Sequence, residues 1–467
     1  MPSSPVNPSY AADRLGTEPV GRLLLHFSIP AMTGMVVHAL YTVVDRIFVG
    51  RAVNEAALGG LTLVMPLLTF FMALAVLFGL GSANLISIRL GEGRRKDAEN
   101  VLNHCMVLLV GTGFVVMAVG LLFIDEILSL LGAQEGSLAL GYAREYFRIT
   151  LYASVFGLVA FGLSHCTRAQ GFPKITMIAM LLAAGLNIIL DALFILGFRW
   201  GVEGAAWATV VSQFVSGVFI LSFCLSKKAA IPLNLAQFKP SLKTVGEIMS
   251  LGSPQFLMHI VMAFVQILLN TSLSRYGADT LGGAEGADIA LSGMAIINSV
   301  AMLILMPVFG INHGVQPILG FNYGAKKFDR VLKAYVRAVA AATCICLIGF
   351  IAVQAFPMAI IRLFAPDGSA TLFYFAPRAM RTFLLMLPLL GFQIISANMF
   401  TFTGRPKISI MLHMMRQCIV LIPCILIFGR IWGLWGVVAA TPVADVFAFM
   451  FTGMMILFEL RKLKRAL

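Results

Sequence analysis

The sequence predicts an all-α integral membrane protein: twelve transmembrane helices in two six-helix lobes related by a pseudo-two-fold axis along the membrane normal. Three observations predict it. Of 467 residues, 59% are hydrophobic and 12% charged, with a mean hydropathy of +0.92, against roughly 25% charged in a soluble domain. Apolar runs recur that exceed the roughly 20 residues a helix needs to cross hydrocarbon. The chain also repeats itself. GFPKIT (171–176) and GRPKIS (404–409) lie 233 residues apart, GVEGAAWAT (201–209) and GLWGVVAAT (433–441) 232 apart, and GEGRRK (91–96) and NYGAKK (322–327) 231 apart. Together these exclude a soluble enzyme, a disordered chain, a collagen-like repeat and a secreted disulfide scaffold.

The elements follow in order. A polar arm, 1–22, contains prolines and lacks the apolar core of a signal peptide. Six apolar segments then run at about 23–49, 57–88, 101–124, 142–168, 174–198 and 204–226. The second is closed by GEGRRKDAEN, and GFPK precedes the fifth. The polar stretch SKKAAIPLNLAQFKPSLK (226–243) marks the junction between halves. Six more segments follow at about 247–274, 288–320, 331–356, 375–403, 408–430 and 435–459, with GAKKFDR after the eighth and GRPK before the eleventh. The expected organisation is therefore an arm 1–22, an N-lobe 23–226, a linker 227–246, a C-lobe 247–460 and a basic tail 461–467. An even number of helices per half gives both repeats the same orientation, hence an axis along the membrane normal and a cleft between lobes.

The net charge of +13 carries topology rather than a nucleic-acid partner. Of 34 Lys+Arg, 24 fall in the arm, the even-numbered loops with their helix ends, and the tail; the other 10 are all arginine. Every lysine thus lies on one side, which the positive-inside rule makes cytoplasmic, with both termini. The basic loops read as solvated and close to anionic lipid. The seven cysteines lie mostly within apolar runs without metal spacing and read as small core residues.

Three acids lie at membrane depth: Asp45 in the first segment, Asp191 in the fifth and Asp445 in the twelfth. Charge at such depth is costly, so ion or proton handling is the default reading, with a purely structural hydrogen-bonding role as the bland one. Asn187 precedes Asp191 by four residues and shares its helix face. A carboxyl raised by burial takes a proton, and several oxygens together take a small hard cation such as Na⁺; the pair permits either. Pro30 lies fifteen residues before Asp45 and favours a kink, a candidate hinge. Its repeat-mate is Pro254, and Asn270 falls near the position matching Asp45. Gln266, Asn270, Asn298, Gln316 and Asp445 are candidate contacts in a C-lobe cavity. Thirty-six phenylalanines and 25 methionines supply pliable apolar surface. No nucleotide-binding or hydrolase signature is present, so neither an enzyme nor an ATP-driven pump is expected, and no cofactor.

Several stretches resemble one family. IPAMTGMVVHALYTVVDRIFVG (29–50), RAQGFPK (168–174), LNIILDALFILGFRWGVEGAAWAT (186–209) and MPVFGINHGVQPILGFNYGAKKFDRV (306–331) are similar to the multidrug and toxic compound extrusion (MATE) transporters, over nearly the whole chain after the arm. The pattern resembles the DinF-like branch, with its MepA-like members. That resemblance implies a cation or proton site in the N-lobe formed by Asp45, Tyr146, Asn187, Asp191 and Thr209, with Na⁺ held by Asp45, Asn187, Asp191 and Thr209 if the ion is sodium. The NorM-like branch places acids on the seventh and eighth helices, where this chain has Gln266 and Asn298. The implied function is export of lipophilic, often cationic small molecules in exchange for H⁺ or Na⁺. A monomer in the inner membrane of a bacterium or archaeon is implied, with lipid as its other partner. The alternatives are a flippase for lipid-linked precursors, which would need a strongly cationic cavity, and, more distantly, a membrane-embedded enzyme or a scaffold.

Overall fold

The computed structural model describes residues 8–52, 55–131, 137–366 and 368–465, with backbone alone for 8–11, 38–39 and 41–59. The first half comprises α1 (Pro8–Thr17), α2 (Val20–Ala52), α3 (Glu55–Gly91), α4 (Arg95–Leu122), α5 (Ile124–Leu130), α6 (Leu138–Ala169), α7 (Pro173–Asp191) and α8 (Gly201–Leu225). The second comprises α9 (Leu242–Leu281), α10 (Gly283–Gly324), α11 (Phe328–Ala355), α12 (Pro357–Phe364), α13 (Ala370–Phe383), α14 (Leu387–Phe402), α15 (Pro406–Met414) and α16 (Ile422–Arg465). Wide π-helical turns, Ala192–Gly197 and Met415–Leu421, extend α7 and α15.

Ten helical runs among the described residues are long and apolar enough to cross a bilayer. Two breaks complete the twelve spans. α13 and α14 form one span bent by 44°. The cause is Pro388 in the first turn of α14, which lacks an N–H and disfavours helix at the residue before it. The run Pro406–Arg465 has 60 residues, which as one helix would be about 90 Å long, three times the hydrocarbon thickness. It breaks at Gly433, whose φ of 58° and ψ of −136° only glycine adopts readily.

The repeat predicted from sequence is also a backbone repeat. Positive φ recurs at Gly93 and Lys326, at Gly171 and Gly404, and at Gly201 and Gly433. The short helices α5 and α12, which follow α4 and α11, occupy matching places as well.

The halves meet through two equivalent crossings, both at the ends that carry the lysines. α3 lies against α9, where a Cβ on Gly81 would sit 2.2 Å from the Ile248 carbonyl oxygen and one on Gly252 would sit 1.8 Å from that of Leu77. α10 lies against α2, where a Cβ on Gly314 would come 2.8 Å from Ser28 Cα and one on Gly310 would come 2.6 Å from Met32 Cα. Small residues let backbones approach in this way, and dispersion then holds helices together where lipid supplies no hydrophobic drive. Beside these crossings His165 of α6 and His313 of α10 meet across the boundary with ring centroids 5.3 Å apart and the rings tilted by 59°. Toward the other ends Gln266 and Asn270 of α9 are exposed and bonded to each other, Nε2 donating to Oδ1 at 2.8 Å.

Two polar stretches, the arm and the junction, are docked against the bundle, and the loop 324–330, expected to be solvated, takes part in holding the first of them. The arm forms α1, and Leu15 is fully buried. The Arg330 guanidinium donates through Nη2 to the Leu15 and Glu18 carbonyls at 3.1 and 2.6 Å, and Lys327 Nζ donates to that of Gly16 at 2.9 Å. Asn322 Nδ2 also donates to the Leu15 carbonyl, at 2.9 Å, so the end of α10 and the inner loop of the second half together clamp the arm through its backbone carbonyls. The junction is held by the first half: Asn103 exchanges two hydrogen bonds with the Asn234 backbone at 2.9 and 3.0 Å, and the Ser241 N–H donates to His104 Nε2 at 3.0 Å.

Candidate transport site

The N-terminal half holds a buried polar group where α7 passes into its π-helical extension. Asn187 and Asp191 lie four apart on α7, 2% and 0% exposed. A π-turn widens the helix and re-aims the residues beside it, and such turns are frequent at functional sites. Thr209 of α8 faces them, accepting a hydrogen bond from Asn187 Nδ2 at 3.4 Å. Asn187 Oδ1 is buried with no hydrogen-bond partner among the described residues. An acceptor left open beside a carboxylate and a hydroxyl makes an oxygen-rich donor set, suited to a proton or a small hard cation. Tyr146 of α6 is 4% exposed and belongs to the same apolar cluster as Ile195 of the π-turn and Val202 of α8. Asp45 lies on the helical backbone of α2, but its side chain falls outside the described residues. Pro30 is buried within α2, and the helix continues through it.

The C-terminal half encloses a cavity of about 240 Å³ among α9, α10, α13–α16 and the π-turn. Gln266, Asn298 and Asp445 line it. Asn270 is reached only through its bond to Gln266. Gln316 is elsewhere: buried at the boundary between halves, with Nε2 donating to Ser87 Oγ of α3 at 3.3 Å. A larger apolar groove of about 950 Å³ between α11, α14 and α16 lies on the lipid-facing surface, with Met450 and Leu457 largely exposed.

Sequence reasoning missed Arg416. Counted among the cytoplasmic helix ends, it sits instead in the π-turn at the cavity wall, with Nε donating to Asp445 Oδ1 at 2.7 Å. Asp445 is 2% exposed, and its backbone carbonyl accepts from Gln393 Nε2 at 2.6 Å. The available signal was an arginine eight residues inside an apolar segment, which requires a partner at that depth.

Two repeated helical halves meeting at tight glycine crossings, with buried polar groups within each, define a membrane transporter rather than an enzyme. The MatE family model matches residues 30–193 and 254–427, and the chain belongs to that family, in its MepA-like branch. The multidrug export protein MepA of Staphylococcus aureus (strain MRSA252) is 28% identical over 434 residues, 91% of each chain. Among solved structures, a MATE in complex with MaD3S has a TM-score of 0.88 and 26% identity, covering 97% of this chain and 98% of that one. An outward-facing conformation of a multidrug resistance MATE transporter of the MOP superfamily has a TM-score of 0.87 and 26% identity, covering 99% and 100%.

Proposed function

We propose that this chain exports lipophilic, often cationic compounds across a bacterial or archaeal plasma membrane in exchange for H⁺ or Na⁺. The observation that carries this reading is the buried Asn187, Asp191 and Thr209 group at the α7 π-turn, in a chain similar to a multidrug export protein. The unit is a monomer of two lobes, 23–226 and 247–460, with linker 227–246; the arm, linker and tail face the cytoplasm with the lysines.

A proton or Na⁺ arriving from outside occupies the site formed by Asp45, Tyr146, Asn187, Asp191 and Thr209 and neutralises its carboxylates. A cationic substrate then loses its electrostatic hold and leaves outward. Linkage makes the two ligands oppose one another by the same coupling energy in both directions. Pro30 acts as the hinge, because the hydrogen bond it removes leaves α2 easier to bend. A lipid-linked-precursor flippase needs a cationic cavity; here Asp445 neutralises Arg416.

The test is uptake or release of a fluorescent cationic dye by proteoliposomes under an imposed proton or sodium gradient. Gradient-driven movement is expected for one of the two ions. No movement under either, from folded protein, overturns the export reading.

A further inference from the structure

The only fixed charges lining the C-half cavity, among the described residues, are Arg416 and Asp445, and the two differ in what they offer a ligand. Asp445 is covered, whereas the Arg416 side chain is 24% exposed. A guanidinium has five N–H donors in a rigid fork. The bond to Asp445 uses Nε alone, so the pair is neutral overall while the terminal Nη donors remain available at the wall. Asp445 thereby orients the arginine rather than silencing it. The rest of the wall is apolar and pliable, with Met258, Met262 and Phe309. A neutral pocket with a forked donor and an apolar wall matches a carboxylate on an amphiphile.

We propose that this cavity is a carboxylate-accepting subsite, with the Arg416 Nη donors as its anchor. The assignment rests on the export reading only in taking the cavity to be reached by substrate. It also gives the two halves complementary tasks: acids in the N-terminal half attract the cationic end, and the arginine in the C-terminal half receives the anionic one.

A matched pair of probes isolates the carboxylate: Nε-dansyl-lysine, a zwitterion, and its methyl ester, a cation of nearly the same shape. Binding to the full chain in phospholipid nanodiscs, without any gradient, is read from dansyl fluorescence. In the wild type the acid is expected to bind about tenfold more tightly than the ester, the scale of a charge-assisted fork. In the doubly neutral Arg416→Gln/Asp445→Asn variant, which leaves no buried charge unpaired, the ratio is expected to fall to about one. An ester that binds as well as the acid in wild type, or better, overturns the proposal whether or not the variant folds. A ratio unchanged in the folded variant overturns it equally. Loss of gradient-driven export with the ratio intact would instead sink the export reading and leave the subsite standing.

Discussion

Gly252→Ala tests whether the lysine-side crossing is a seal that opens during transport. A Cβ there would lie 1.8 Å from the Leu77 carbonyl oxygen, 2.7 Å from its carbonyl carbon and 2.9 Å from its Cα. All three are backbone atoms, so no rotamer relieves them. Ordinary contact begins at 3.4 Å, so α3 and α9 must separate by roughly 1.6 Å at this point, a displacement of the kind that overpacking imposes at about 1–3 kcal/mol. Because the strain exists only while the crossing is closed, it is relieved when the cleft opens on the lysine side. The ratio of inner-open to inner-closed molecules should therefore rise about 5- to 150-fold. Spin labels at Lys174→Cys and Lys407→Cys, exposed repeat-mates on opposite halves, report the separation in a background lacking the exposed Cys344. A longer-distance population should appear or grow in Gly252→Ala. An unchanged distance distribution in folded Gly252→Ala protein would refute the claim that this contact distinguishes the two states.

Three further outcomes are expected. Arg330→Ala removes the donor to the Glu18 carbonyl and one of the two to that of Leu15, so the arm should become more susceptible to limited proteolysis while the remainder of the chain stays resistant. Asn103→Ala leaves the Asn234 backbone groups without their partner and should cost about 1–3 kcal/mol, seen as a lower melting temperature and faster hydrogen exchange over 230–241. Gly314→Ala, placed at the equivalent crossing against Ser28, should shift the spin-label distances in the same direction as Gly252→Ala.

The spans were legible because hydropathy and period act over twenty residues at a time, and the repeat because turn chemistry recurs at fixed places. Gly171 and Gly404, or Gly201 and Gly433, need positive φ in both halves, so the sequence retains them in both. Asp191 and Asn187 were visible for a different reason: apolar surroundings make a polar pair conspicuous, and spacing of four places both on one face. The unread features depend on pairing across distance. Nothing local tells Arg416 that its partner is Asp445, 29 residues on across the break at Gly433, and a count by loops placed it on the wrong side of the helix end. Gln316 looks like a cavity amide until α3 brings Ser87 to it. The docking of the arm went unread because its anchors are backbone carbonyls, which carry no sequence signature, met by Arg330 from the other half. The bend between α13 and α14 was masked by an apolar run that hydropathy cannot distinguish from one straight helix.

In the proposed cycle the acids of the N-terminal half couple ion entry to substrate exit. Its most direct test is gradient-driven efflux of a cationic dye from proteoliposomes containing Asp45→Asn, Asp191→Asn or both, compared with wild type at equal folded protein. Each single variant is expected to fall well below wild type, and the double variant to transport no faster than protein-free liposomes. Wild-type efflux from the double variant would contradict it.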